Sequence, residues 1–319
     1  MPVTRSSSEV KSMHTDFYYP SYGKGMIHGC RWEPEGKPKA VLQIVHGIAE
    51  YAARYEEFAT FLTQQGFLVV AEDHMGHGGS IVDGETGYFE GGWYKAVADT
   101  HRLLSYTRME FPDLPYVILG HSMGSFMVRT LLTKYPKCGI DAAIICGTAW
   151  MHRGIINSGL AAATLACKAE GASKPNKMLN SMMFGSYNRR VEHKRTDFDW
   201  LTRDSAVVDA YIADPLCGFT ITAGLARDML TGMRYNQEPE NLAKMRKDLP
   251  VLFIAGSDDP VGNYGEGVTK AYKEFVKAGM ERTEIRLYPL CRHELLNEIN
   301  KEEVYDYVLK WLSKQQVVE

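Results

Sequence analysis

The sequence predicts an α/β fold in which helices flank a mainly parallel central sheet, and three observations carry that prediction. Short runs of β-branched and aliphatic residues recur along the chain. Amphipathic segments at helical spacing alternate with them, the pattern of a wound parallel sheet. One interval, about 100 residues between two of the runs, is far longer than an ordinary βαβ connection and marks an insertion.

In order, residues 18–32, with Gly23 and Gly25 inside them, read as an antiparallel hairpin on the sheet edge. Residues 41–45, 67–71, 116–119, 142–146, 251–255 and 284–288 read as strands buried on both faces, because each is apolar without alternation. Helices are expected where Tyr51, Tyr55, Phe58 and Leu62 recur at helical spacing, and over 93–109, 125–135, 267–278 and 294–313. The insertion follows the sixth strand. Its first part, residues 148–215, is helical in pattern, with Met178, Met182, Met183 and Phe184 near basic Arg189, Arg190, Lys194 and Arg195. It is expected to form a helical cap. The domains predicted are therefore a main α/β unit of residues 1–147 and 216–319 and a cap of residues 148–215.

Composition bounds the classes of function. The chain has 319 residues, 45% hydrophobic and 24% charged, the balance of a globular protein. Its net charge is −3, with no Lys/Arg block suited to a phosphate backbone, so nucleic acid is not an expected partner. Six scattered cysteines form no C-x-x-C and read as free thiols in a reducing compartment. Residues 1–20 lack an apolar leader, and the apolar stretch 154–167 is too short to span a bilayer. A cytoplasmic protein is expected, for which a transient contact of the cap with a membrane surface is compatible. Oligomeric state is not legible.

The chemistry-bearing signal is Gly120-His121-Ser122-Met123-Gly124, which follows a strand and opens a helix. That is the context of a G-x-S-x-G nucleophile elbow, whose strained turn lifts a serine hydroxyl above the sheet. Serine needs a base, and the base needs an acid to orient it. His293, at the end of the last strand, is placed to be the base. His152 and His193 fall in the cap and read as solvated or packed. Asp258 and Asp259 both follow the strand before; position in the turn favours Asp259 as the acid. Backbone amides of Met123, after the serine, and Ile48, after the His46-Gly47 pair, are placed to receive an oxyanion.

These residues, with His46-Gly47-Ile48-Ala49-Glu50, Arg54, Tyr55 and Asp73-His74-Met75-Gly76-His77-Gly78-Gly79-Ser80, resemble the monoacylglycerol lipase and lysophospholipase branch of the α/β-hydrolases, which shares its domain with serine aminopeptidase-like enzymes. The resemblance implies an α/β-hydrolase fold, Ser122, Asp259 and His293 as catalytic residues, and the Ile48 and Met123 amides as the oxyanion hole. It implies hydrolysis of a small acyl ester or lipid, of monoacylglycerol or lysophospholipid type. Tyr51, where monoacylglycerol lipases often carry His, and the bulky Ile48 depart from the family pattern and bear on substrate. The resemblance assigns Asp73, His74 and His77 to a structural turn, and the H-E-x-x-H pattern begun at His293 fails at Asn297. No metal and no cofactor is expected. An iminopeptidase-like alternative needs carboxylates in the cap, where Glu170, Glu192, Asp197 and Asp199 stand among at least as many basic residues. A short-acyl carboxylesterase is a second alternative. A non-catalytic member of the fold would have lost one of Ser122, Asp259 and His293.

Overall fold

The computed structural model describes residues 13–317, and the chain before Met13 lies outside the described residues, including most of the stretch read above for a leader. Eight strands form one sheet: β1 (Met13–Pro20), β2 (Met26–Glu33), β3 (Ala40–Val45), β4 (Phe67–Glu72), β5 (Tyr116–His121), β6 (Ala142–Cys146), β7 (Val251–Gly256) and β8 (Thr283–Tyr288). Their order is β1-β2-β4-β3-β5-β6-β7-β8. β1 and β2 are the expected hairpin, antiparallel to each other and to β4; the remaining pairs are parallel.

The strands from β3 to β7 lack alternation because both faces are covered. In β3, Val41 and Val45 enter one core while Leu42 and Ile44 enter the other. The first core is roofed by α2 (Trp93–Glu110), α3 (Met123–Lys134) and α9 (Glu266–Lys277), the second by α1 (Glu56–Gln64) and α10 (Lys301–Lys314). β8 departs from the expectation: it is the edge strand, and Leu287 on it is exposed. The expected helix over 294–313 is broken into a short 3-10 turn, Leu295–Asn297, and α10. The break is made by Glu298. Its fully buried carboxylate accepts hydrogen bonds from Arg203 Nε at 2.9 Å and the Arg292 amide at 2.8 Å, which folds the backbone around it.

Between β6 and β7 run α4 (Arg153–Glu170), α5 (Lys177–Phe184), α6 (Ser205–Ala213), α7 (Ala223–Tyr235) and the single turn α8 (Pro239–Leu242). α4 packs on α7, and α7 packs in turn on α2 and α3, so part of this excursion is continuous with the sheet's own core. Trp200, Leu201, Tyr211 and Cys217 make a separate small apolar cluster. All six cysteines are free. Among the described residues no helix is long and apolar enough to cross a membrane.

After β3 the chain turns to β4 on one side and then to β5 on the other, so β3 and β5 flank a topological switch point, the place where open α/β sheets present their sites. There α3 begins hard against β3. A Cβ on Gly124 would lie 2.0 Å from the Val45 carbonyl oxygen, and one on Gly120 would lie 2.5 Å from the Gly124 carbonyl oxygen. Gly124→Ala should therefore lower the unfolding free energy by about 3 kcal/mol or more, since rigid backbone cannot yield, whereas Gly36→Ala, a left-handed position with open space around it, should cost only about 1–2 kcal/mol. Urea unfolding of the two variants measures the difference, and equal losses would contradict the close approach.

Candidate active site

Ser122 sits in the turn between β5 and α3 with φ 53° and ψ −119°, a conformation that L-residues rarely adopt. It persists because its backbone is held on both sides. Its N–H donates to the Cys146 carbonyl at 3.0 Å, and its carbonyl accepts from the Ser125 amide at 2.9 Å and the Ser125 hydroxyl at 2.5 Å. The residue is 9% exposed and opens onto a cavity of about 430 Å³.

His293 opens onto the same cavity, in the loop after β8. Its Nδ1 lies 3.0 Å from Oδ2 of Asp259, which is fully buried and whose Oδ1 accepts from the Val261 amide at 2.9 Å. A carboxylate acceptor at Nδ1 leaves Nε2 as the free ring nitrogen. Gly147 (φ 58°) makes room for the ring, for a Cβ there would sit 3.1 Å from His293 Cε1. Asp258 is exposed and accepts from the Ser257 hydroxyl, so of the two aspartates only Asp259 meets the histidine. His152 is exposed and caps α4 through the Gly154 amide, and His193 is exposed; neither lines the cavity.

The loop after β3 crosses beside the serine: a Cβ on Gly47 would lie 3.1 Å from Ser122 Cβ. Ile48 lines the cavity, and Met123, first residue of α3, is buried beneath it. Ala49 takes a left-handed φ of 55°, fixed from above where its carbonyl accepts the Tyr211 hydroxyl at 2.9 Å and the Gly218 amide at 3.0 Å.

Beneath this loop lies a group of charges that sequence reasoning did not assemble. Arg54 donates to Glu50 at 2.6 Å and, through both terminal nitrogens, to Glu294 at 2.9 and 2.8 Å. Glu50 also accepts from the Gly47 amide at 2.6 Å and the Tyr55 hydroxyl at 2.9 Å, and lies 3.1 Å from His121 Nδ1. Burial opposes the charge on Glu50, yet His121 and Arg54 hold it well below the usual carboxylate range. Burial likewise opposes the charge on His121, and the bond to Glu50 raises it nonetheless. Glu50, Arg54 and Tyr55 were visible as a motif. Glu294 had no signal beyond standing next to His293.

Asp73, His74 and His77 form the structural turn that the resemblance implied. Asp73 accepts from the Ala52 amide at 2.7 Å and the Gly79 amide at 2.7 Å and contacts His28 Nδ1 at 2.8 Å. The His74 amide donates to His46 Nε2, which leaves the His46 proton on Nδ1, facing the Gly47 carbonyl. His74 Nε2 donates to the His46 carbonyl, so its Nδ1 is a lone pair, 3.7 Å from Glu72 Oε1. That Glu72 oxygen is buried and has no hydrogen-bond partner among the described residues.

The sheet, the strained serine turn and the buried histidine–carboxylate pair define an α/β-hydrolase. The chain belongs to the family described as serine aminopeptidase, S33, whose profile matches residues 36–300. It is 30% identical over 307 residues to the monoacylglycerol lipase of Mycolicibacterium smegmatis, covering 95% of this chain and 98% of that protein. It is 28% identical over 290 residues to the monoglyceride lipase of Mus musculus, covering 89% and 86% respectively. A thermostable carboxyl esterase from Bacillus coagulans, solved in complex with glycerol, matches with a TM-score of 0.88 at 26% identity, over 97% of this chain and 100% of that one. The chain is a monoglyceride-lipase-like α/β-hydrolase.

Glu72 yields a test of the electrostatics below the site. Burial pushes its carboxyl up to about 7, so between roughly pH 4.3, where an unfolded glutamate ionises, and 7 the folded state holds a proton that the unfolded state has lost. Stability from this group therefore falls as pH rises through that window. Glu72→Gln should gain up to about 3 kcal/mol over the parent at pH 8 and nothing at pH 4, read from urea midpoints at both values. A variant less stable than the parent at pH 8 would contradict the neutral carboxyl.

Proposed function

We propose that this protein hydrolyses monoacylglycerols, and esters like them with a small polyol or lysophospholipid head, through an acyl-enzyme on Ser122. That it is a carboxylic ester hydrolase follows from its family and relatives. The observation that carries the finer reading is the pairing of His293 with buried Asp259 at 3.0 Å, on the cavity into which the strained Ser122 opens.

In this reading His293 Nε2 takes the proton from Ser122 Oγ as the oxygen attacks the ester carbonyl. Asp259 keeps the ring proton on Nδ1 and stabilises the imidazolium. The Ile48 and Met123 amides donate to the oxyanion of the tetrahedral intermediate. Collapse expels the alcohol, which receives the proton from His293, and water repeats the cycle to free the acid.

Residues 148–215 serve as the cap in this reading, and they supply much of the cavity's lining. The apolar part is Phe184, Phe198, Trp200, Leu201 and Tyr211, joined by Phe219 beyond the expected boundary. Of the apolar residues singled out in the expected cap, Phe184 lines the cavity, but Met178 and Met182 are 59% and 61% exposed. α5 buries Leu179, and one helical turn separates the two methionines on its outer side.

The aminopeptidase reading needs an acid free to hold a substrate ammonium. Three carboxylates line the cavity, and each has a cation: Glu50 and Glu294 share Arg54, and Asp197 pairs with Lys194 at 2.9 Å. Asp199 is spent on the Thr196 and Arg195 amides, and Glu170 and Glu192 are not in the lining. Lys194 lines the cavity as well, and neutral Asn180, Ser181, Asn188 and Thr220 supply uncharged polar groups beside it. The site thus favours an uncharged hydroxylated leaving group.

Ser122→Ala should abolish both monoacylglycerol hydrolysis and fluorophosphonate labelling. Asp259→Asn should lower kcat by about 10⁴, and Asp258→Asn by far less. Labelling that survives in Ser122→Ala, or the reverse ranking of the aspartates, would overturn the assignment.

Chain length gives a separate test. Each buried methylene contributes about 0.8 kcal/mol, so kcat/KM for glycerol monoesters should rise several-fold per added pair of carbons until the cavity fills. Phe184→Asp should flatten that rise and Met182→Glu should not. Acetyl esters matching octanoyl esters in the parent would point instead to a short-acyl esterase.

A further inference from the structure

We propose that His14, Asp16 and Cys30 form a binding site for a divalent cation of the zinc class on the edge of the sheet, apart from the active-site cavity. β1 and β2 pair with Asp16 opposite Cys30, His14 opposite Trp32 and Tyr18 opposite His28. Positions two apart on one strand share a face, so this register brings His14, Asp16, Cys30 and His28 to the same side of the ribbon.

The Asp16 carboxylate is the hub. Its Oδ1 lies 3.4 Å from His14 Nε2, 3.8 Å from Cys30 Sγ and 3.1 Å from His28 Nε2. The donor atoms of His14, Asp16 and Cys30 all lie within 4.8 Å of one another. A tetrahedral zinc with bonds of about 2.0–2.3 Å needs its ligand atoms roughly 3.3–3.8 Å apart, so small side-chain adjustments suffice. One nitrogen, one oxygen and one sulfur donor suit zinc or its neighbours in the first transition row, not calcium or magnesium, which take oxygen.

Order and access are both provided. Cys30 is 1% exposed and forms the floor, while His14 and Asp16 are exposed and leave a route in and room for a water ligand. The His14 ring is stacked on buried Trp32, at 5.1 Å and 11°. His28 orients Asp16 through Nε2 while its Nδ1 meets Asp73, the histidine–carboxylate support found behind many metal ligands. Burial above all, and then the charges of Asp73 and Asp16, push the Cys30 thiol up, so the sulfur keeps its proton until an ion takes its place. On binding, the Cys30 thiol gives its proton to solvent and its sulfur bonds the ion, with no redox change. The ion would clasp β1 to β2 beside the Asp73 turn. None of the three ligands lines the catalytic cavity.

The test is titration of the protein with Zn2+ by calorimetry, and with Co2+ by absorption. Expected are one zinc per chain, a thiolate-to-cobalt charge-transfer band in the near ultraviolet, and at least tenfold weaker zinc binding in Cys30→Ser and in His14→Ala. The band should vanish in Cys30→Ser, and both variants should keep the parent's ester hydrolysis. His14 is exposed, so His14→Ala remains informative if the buried Cys30→Ser fails to fold. Zinc affinity unchanged in His14→Ala, or cobalt binding without a thiolate band in the parent, would overturn the site.

Discussion

One guanidinium, that of Arg54, joins three pieces of chain that the proposed chemistry needs in register. Glu50 carries the loop after β3, Glu294 adjoins His293, and His121, last residue of β5, precedes Ser122 and leans on Glu50. The arrangement sits out of water, where placing charges is costly and breaking one partner away leaves another buried alone at a cost of about 3–5 kcal/mol. Two carboxylates against Arg54 and a His121 disposed to hold a proton come close to neutral together, and that balance makes the cluster tolerable. Its worth is in position more than in net stability. Through Glu50 it holds the Gly47 amide, and Glu294 donates its own N–H to the Leu201 carbonyl at 2.7 Å, so the histidine loop, the loop beside Ser122 and the helical excursion share one anchor.

Around that anchor the backbone is crowded to a degree that only glycine permits. α3 starts against the carbonyl end of β3, and the serine's left-handed turn is the geometric result: a strand that must become a helix within one residue, at the switch point of a parallel sheet. The strain at Ser122 and at Ala49, of order 1–3 kcal/mol each, is held by surrounding hydrogen bonds that have no easy alternative. Both strained residues face the same cavity from adjoining loops, so the geometry on which the proposed chemistry relies is fixed by the backbone.

Features set by local sequence were legible and those set by distant partners were not. The strand runs, the edge hairpin, Ser122 between its glycines, and the turn that carries Asp258 and Asp259 each rest on a handful of neighbouring residues. The break before α10 depends on Arg203, 95 residues from Glu298, and the Arg54–Glu294 bond spans 240 residues. No periodicity announces such pairs. The methionines of α5 illustrate a different limit: apolar residues at helical spacing define a face, and only the packing of Leu179 on the core decides that Met178 and Met182 look outward. Likewise the excursion's boundary near Pro215 was drawn from composition, whereas α7 beyond it packs on α4 as well as on the sheet's helices.

The fold thereby separates two demands that would otherwise conflict. The sheet edge places Ser122, His293 and the loop after β3 in a rigid frame, since parallel strands deliver their C-terminal ends to one side and both cores lock them there. The excursion between β6 and β7 meets that frame through a few contacts: Tyr211 and Gly218 on Ala49, Trp200 and Leu201 on the histidine loop. Its side chains line the cavity above the serine while bearing none of the proposed proton transfers. Changes in α5 or in residues 194–198 can therefore reshape the cavity's volume and polarity without touching the residues that hold the histidine loop. The same contacts limit that freedom, because the segment that shapes the cavity also pins the strained Ala49 carbonyl. A substitution that loosens Tyr211 from Ala49 acts on the backbone of the loop that carries Ile48, and so on the proposed oxyanion site, as well as on the pocket.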